Sequence, residues 1–165
     1  MKGELLNFFD AFGMMPAGNY PDWGGGPAWS PYLEIPTKGN CWRYACNDPA
    51  VNGEQARVNP PETPPNIDCK SIMRGVTDIS GAQTGEKEKP CPKCHYKVLL
   101  VTRPHYDYHW YRQDDDGRWS HKRGDMSVIT WVDDPEKNAK NYHYDTRCGY
   151  LCFPDTGLDA DKTKK

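Results

Sequence analysis

Residues 106–124, YDYHWYRQDDDGRWSHKRG, decide how this chain is read. Tyr106, Tyr108, Trp110 and Tyr111 favour extended backbone, Asp114, Asp115, Asp116 and Gly117 supply a turn, and Trp119 restarts the extended run. The stretch therefore predicts a β-hairpin, in one of two registers. If Asp116 and Gly117 form a two-residue type I′ loop, Asp115 pairs with Arg118 and His109 and His121 point to opposite faces. If Asp115 and Asp116 lie in a type I turn and Gly117 takes a left-handed bulge position, Asp114 pairs with Arg118 and the two histidines share a face. The second register suits the residues better, since Asp is favoured at the start of a type I turn and Gly at its end. It sets Tyr111 opposite His121, with His109 a diagonal neighbour roughly 7 to 8 Å away, close enough for two parts of one site.

Around the hairpin, residues 96–103 (YKVLLVTR) are too continuously apolar for a strand with one solvated face, and predict a central strand. Residues 127–132 (SVITWV) predict another, so the second half reads as an antiparallel meander of four strands. Residues 133–141 read as a polar connection and 142–153 as a strand ending the sheet. Upstream, Asn40 is a good helix N-cap, and Cys41 to Cys46 form the short helix it starts. After Asp68, the apolar positions Cys69, Ile72, Val76 and Ile79 recur at helical spacing and predict a second helix ending near Gly81. The proline-rich segment 49–66 reads as a long loop and the polar segment 82–90 as a surface loop. Near the N-terminus, Leu5, Leu6, Phe8, Phe9 and Phe12 give one apolar helix side, followed by a Gly/Pro-rich stretch to Gly39.

The expected fold class is α+β, with short helices packed on an antiparallel meander and long Pro/Gly-rich loops around it. The whole chain, 1–165, reads as a single domain: residues 1–39 as N-terminal helix and wrapping segment, 40–153 as core, 154–165 as a frayed tail. With 36% hydrophobic residues the core must be filled largely by aromatics, of which there are six Trp, ten Tyr and four Phe. A net charge of −2 and a single short basic cluster, Arg118, His121, Lys122 and Arg123, argue against nucleic acid as a partner. Glu4 and Asp10 interrupt the N-terminal apolar residues, so this stretch reads as neither signal peptide nor membrane span. The expected location is therefore left among cytoplasm, virion and export without a signal.

Cys41 falls at the first position of its helix, where free N–H groups favour a thiolate. A histidine such as His109, presented from the sheet beneath, would complete a thiolate–imidazole pair, and His121 is the natural third group to orient that ring. Cys41 in NCWRYA, His109 in HWYRQDDDG and His121 in WSHK occur in an order similar to the papain-like cell-wall hydrolases of the NlpC and CHAP type. That resemblance implies a papain-like core and a cysteine peptidase or amidase whose thiol nucleophile attacks an amide or peptide bond, with peptidoglycan-like peptide as substrate. Cys41, His109 and His121 are then the catalytic residues, and Trp42, Trp110, Tyr111 and Trp119 the substrate-binding ones. No cofactor and no catalytic metal are expected.

The alternative is a non-catalytic structural or binding domain. Cys91, Cys94, Cys148 and Cys152 have spacings resembling a structural zinc knuckle, while disulfides such as Cys69 to Cys91, and free thiols, are the other states open to them. The total of seven cysteines is odd, so at least one has no cysteine partner within the chain. Trp23, Trp29, Trp42, Trp110 and Trp119 would, on this alternative, line a glycan-binding groove.

Overall fold

The computed structural model describes residues 39–50, 53–63, 65, 67–115, 117–124 and 129–161. The N-terminal helix and wrapping segment expected over 1–39 lie outside these except for Gly39. Six strands form one antiparallel sheet: β1 (Gln83–Gly85), β2 (His95–Arg103), β3 (Asp107–Gln113), β4 (Trp119–Lys122), β5 (Ile129–Val132) and β6 (Thr146–Pro154), in the order β1-β6-β2-β3-β4-β5. The four-stranded meander β2 to β5 is as the sequence predicts. The last strand is not at the sheet's end: β6 inserts between β1 and β2, so β2 is covered on both edges as well as both faces.

Three helices accompany the sheet. In α1 (Cys41–Cys46) the Asn40 side chain accepts the Arg43 N–H, and Asn47, in the left-handed region at φ 54°, ends the helix after six residues. Asp68 caps α2 (Cys69–Thr77) by accepting the Ser71 N–H. The third, α3 (Pro135–Asn141), corrects the reading of 133–141 as connection. Asp134 caps it and Pro135 opens it, but Pro135 and Ala139 are its only buried residues, too little for a periodic signal. Strand β1 likewise corrects the loop read over 82–90, because backbone pairing with β6 asks nothing of the polar Gln-Thr-Gly side chains.

Alternation along β2 divides the core. Val98 and Leu100 point with Trp110, Leu151 and Phe153 toward Trp42, Ile72 and Val76 of α1 and α2, while Leu99 and Val101 point with Tyr111 and Tyr150 toward Ala139 of α3. The sheet is thus buried on both sides. Residues 158–161 are packed, contrary to a frayed tail: Leu158 and Ala160 are buried, and the Trp42 indole N–H donates to the Ala160 carbonyl at 3.0 Å.

Two disulfides overturn the zinc reading. Cys69 joins Cys148, tying α2 to β6, and Cys91 joins Cys152, tying the loop before β2 to the same strand. The pairs that are close in sequence are therefore split between bridges, leaving Cys94 exposed and Cys41 and Cys46 as buried free thiols. A Cys69–Cys91 bridge is excluded by the same pairings.

The hairpin takes the second register. The Asp114 N–H donates to the Arg118 carbonyl at 2.8 Å, the Gly117 N–H returns to Asp114 at 2.9 Å, and Gly117 has φ 85°. At its base Arg112 Nε donates to Asp114 Oδ1 at 2.9 Å, and both side chains are fully buried. Arg112 Nη1 donates to the Tyr44 carbonyl of α1, and the Ser120 hydroxyl donates to Asp114 Oδ2 at 2.6 Å. Replacing Asp114 by Ala strands the guanidinium, and an urea unfolding curve should show a loss of about 3 to 5 kcal/mol. A loss under about 1 kcal/mol, the level of an exposed pair, would contradict this account.

Candidate active site

Strands β3 and β4 pair only at their hairpin end, through Gln113 with Trp119 and Arg112 with Ser120. Since Asp114 and Arg112 point their N–H groups at β4, Trp110 does too, but no β4 residue is paired with it. The Cys41–Cys46 helix packs against both strands here, and the Trp110 backbone N–H is one of the groups that favour a thiolate at Cys41. On the α1 side of β4, the Tyr44 hydroxyl bonds the Ser120 hydroxyl at 2.8 Å, and the buried Lys122 ammonium donates to the Gly39 and Gly124 carbonyls. This lysine ties the residue before the Asn40 cap to the end of the hairpin.

Between these neighbours His121 projects to the other face. Its Nδ1 lies 2.8 Å from Nε2 of His109, in the shared-face arrangement. Tyr111 stacks on His121 with centroids 4.7 Å apart, and Tyr144 stacks on His109 at 5.4 Å, so both rings are held from their flanks. With Nε2 of His109 engaged by His121, Nδ1 is the ring nitrogen left for other chemistry.

Cys41 and His109 open onto one cavity of about 470 Å³, whose walls also include Asn59, Asp107, Tyr108, Arg123 and Tyr144. Among the described residues there is no direct hydrogen bond between the thiol and the imidazole. Asp107 is engaged on both oxygens, accepting from the Tyr108 N–H at 2.8 Å and the Tyr144 hydroxyl at 2.7 Å.

The resting charges differ from the expected thiolate–imidazole pair. Burial, followed by the negative charge of Asp107, pushes the Cys41 thiol up to about 12, against the opposing N–H groups of Trp110 and Trp42. His109 is held well below its ordinary value by burial, then by His121 and Arg123, and burial with Arg123 lowers His121 to about 4. All three groups are neutral near pH 7. The helix terminus does not hold a thiolate because α1 has only six residues and its start is covered: the Asn40 N–H donates to Ala56 O at 2.9 Å and its side-chain amide to Val58 O at 2.6 Å. The loop that caps the helix excludes the water a thiolate needs.

The structure thus sets Cys41 and His109 on one cavity with His121 against His109, keeps Tyr111 stacked on His121, and leaves Trp42, Trp110 and Trp119 out of the cavity lining. Trp42 and Trp110 are fully buried against each other, centroids 5.1 Å apart, between the sheet and α1. Tyr111 donates to Asn138 of α3 at 2.7 Å, and Trp119 packs edge-on to Tyr150. The glycan groove loses Trp42 and Trp110 for the same reason, and Trp23 and Trp29 lie outside the described residues. The aromatic wall is instead Tyr108 and Tyr144. Asp107 was legible as a neighbour of His109 by the period of two along β3, whereas nothing in the sequence signals Tyr144 or Asn59.

Elsewhere, carboxylate oxygens of Asp48, Asp159 and Asp161 come within 4.8 Å of one another. Arg43 supplies the cation there, 2.6 Å from Asp161 and 3.6 Å from Asp48. No helix among the described residues is long and apolar enough to cross a membrane. No family model matches the chain, and neither a curated protein nor a solved structure shows significant similarity to it.

The depressed His121 value has a thermodynamic consequence. Once unfolded, this ring takes up a proton near its ordinary 6.5, which the folded ring refuses until about 4, so the stability it contributes is complete above 6.5 and is lost as pH falls to 4. Urea midpoints measured at pH 7, 5.5 and 4 should fall more steeply for the native chain than for His121→Gln. Parallel profiles would mean that His121 is not held neutral.

Proposed function

We propose that this chain is a cysteine-dependent hydrolase of amide or peptide bonds, with Cys41 as nucleophile, His109 as general base and His121 as the group that orients it. The observation carrying this reading is that Cys41 and His109 line one cavity while His121 binds the far nitrogen of the His109 ring. The arrangement of a Cys-bearing helix on an antiparallel sheet, with the two histidines on adjacent strands, fits the papain-like core expected from the resemblance to cell-wall hydrolases. Two disulfides suit an oxidising compartment, where a peptidoglycan-like peptide would be met.

The neutral resting state dictates how the step runs. In the tautomer whose His109 Nε2–H donates to His121 Nδ1, the Nδ1 lone pair of His109 is free to act as the base. The Cys41 proton passes to that nitrogen as sulfur attacks the carbonyl, not before. The imidazolium so formed is held by His121, and it returns the proton to the leaving amine. Water then cleaves the thioester by the same exchange in reverse.

Cys46 provides an internal control, because it is buried on the same helix and burial raises its thiol as well, with no imidazole beside it. Treated with iodoacetamide at pH 7 and mapped by mass spectrometry, exposed Cys94 should react first, then Cys41, then Cys46. His109→Ala should slow Cys41 by about 100-fold, the low end of general-base effects, and leave Cys94 unchanged. Equal labelling of Cys41 and Cys46 in the native chain favours a second reading, supported by the raised Cys41 value, of a non-catalytic binding domain with a core cysteine.

A further inference from the structure

Asn59 is held by both halves of the site. Its side-chain oxygen accepts the Tyr108 hydroxyl at 2.8 Å, from the residue next to His109 on β3. Its own chain neighbour, Val58, gives its carbonyl to the Asn40 side chain, next to Cys41 on α1. The position between these ties is rigid. Pro60 and Pro61 follow directly, the Thr63 N–H and hydroxyl both donate to the Pro60 carbonyl, and the Pro61 carbonyl sits so close to α2 that a Cβ on Gly75 would stand 2.1 Å from it. A loop that the sequence marks only as irregular is therefore braced against both α1 and α2.

Burial and the proximity of Cys41 push the Tyr108 phenol far above its ordinary range, so the phenol remains a donor and the Asn59 oxygen its acceptor. The amide is thereby turned with its oxygen to Tyr108 and its NH2 away from it. Asn59 lines the cavity that holds Cys41 and His109, so this NH2, the half of the amide that Tyr108 does not take, is an uncharged donor on the wall of that cavity. On the same wall, Asp107 offers no donor, and both of its oxygens are acceptors already in use.

Resting on the hydrolase reading above, we propose that Asn59 is a catalytic residue, whose side-chain NH2 donates to the carbonyl oxygen of the substrate as Cys41 adds to it. In that step the Sγ–C bond forms, the carbonyl π pair moves to oxygen, and the thiol proton goes to His109 Nδ1. The developing oxyanion is the charge that the Asn59 donor meets. Collapse restores C=O and expels the leaving group, which takes the proton back from His109 when it is an amine. Tyr108 is a positioning residue for Asn59.

Two electrophiles that meet the same sulfur separate this role from a structural one. p-Nitrophenyl acetate acylates Cys41 through an oxyanion and releases p-nitrophenolate, whereas iodoacetamide alkylates it by displacement at carbon with no oxyanion. In Asn59→Ala the acylation rate should fall about 100-fold, as for loss of one oxyanion donor, with alkylation within about twofold. Asn59→Asp, which keeps the acceptor for Tyr108 but presents oxygen in place of NH2, should fall at least as far, and Tyr108→Phe should fall less. A parallel loss in both reactions, or no loss in acylation, overturns the assignment. If the native Cys41 reacts with neither reagent faster than Cys46, the nucleophile itself is wrong, an outcome distinct from a native enzyme that acylates and an Asn59→Ala variant that matches it.

Discussion

The fully buried Arg112–Asp114 pair is the interaction on which the site's geometry rests. Isolating two charges from water costs several kcal/mol each, and the pair persists because the carboxylate also accepts the Ser120 hydroxyl while the guanidinium also donates to the Tyr44 carbonyl and lies over the Tyr44 ring. One network therefore sets the register of β3 against β4 and holds α1 to both. Because the register is set at the turn, the two strands can part a few residues later, where α1 packs against both. A one-residue slip would send His121 to the opposite face, away from His109.

A second buried arginine closes the other end of α1. Arg43 donates to the Gln55 and Asp48 carbonyls and pairs with Asp161, while Trp42 beside it binds the Ala160 carbonyl. The proline-rich loop and the C-terminal segment are thus both fastened to the six-residue helix. A helix this short has little stability of its own. Its place comes from the chain wrapped around it, with the disulfides fixing α2 and the loop before β2 onto β6.

The same enclosure governs the chemistry. Covering the start of α1 removes water from the sulfur and raises the thiol, and burying the two imidazoles keeps them neutral. On the hydrolase reading, a thiol in this setting is activated during attack rather than before it. Preorganised neutral donors and acceptors suit such a site, since they stabilise charge only when it develops.

What the sequence determined by itself is local. The Asp-Asp-Asp-Gly turn, the strand alternation around it, the Asn40 and Asp68 caps and the continuous apolar run 98–101 were legible because each follows from backbone preference or burial period within a few residues. These were enough to bring His109 and His121 together and to set Cys41 at a helix start. The tertiary structure alone decided matters that depend on distant segments. It chose the disulfide partners, 79 and 61 residues apart, and placed β6 inside the sheet. It also put Trp42 and Trp110 into the core and turned the tail inward. Above all it decided the state of the thiol. A helix N-terminus can be read from Asn40, but a pKa depends on how much water reaches the sulfur, and that was settled by residues 56–58 folding back onto the cap.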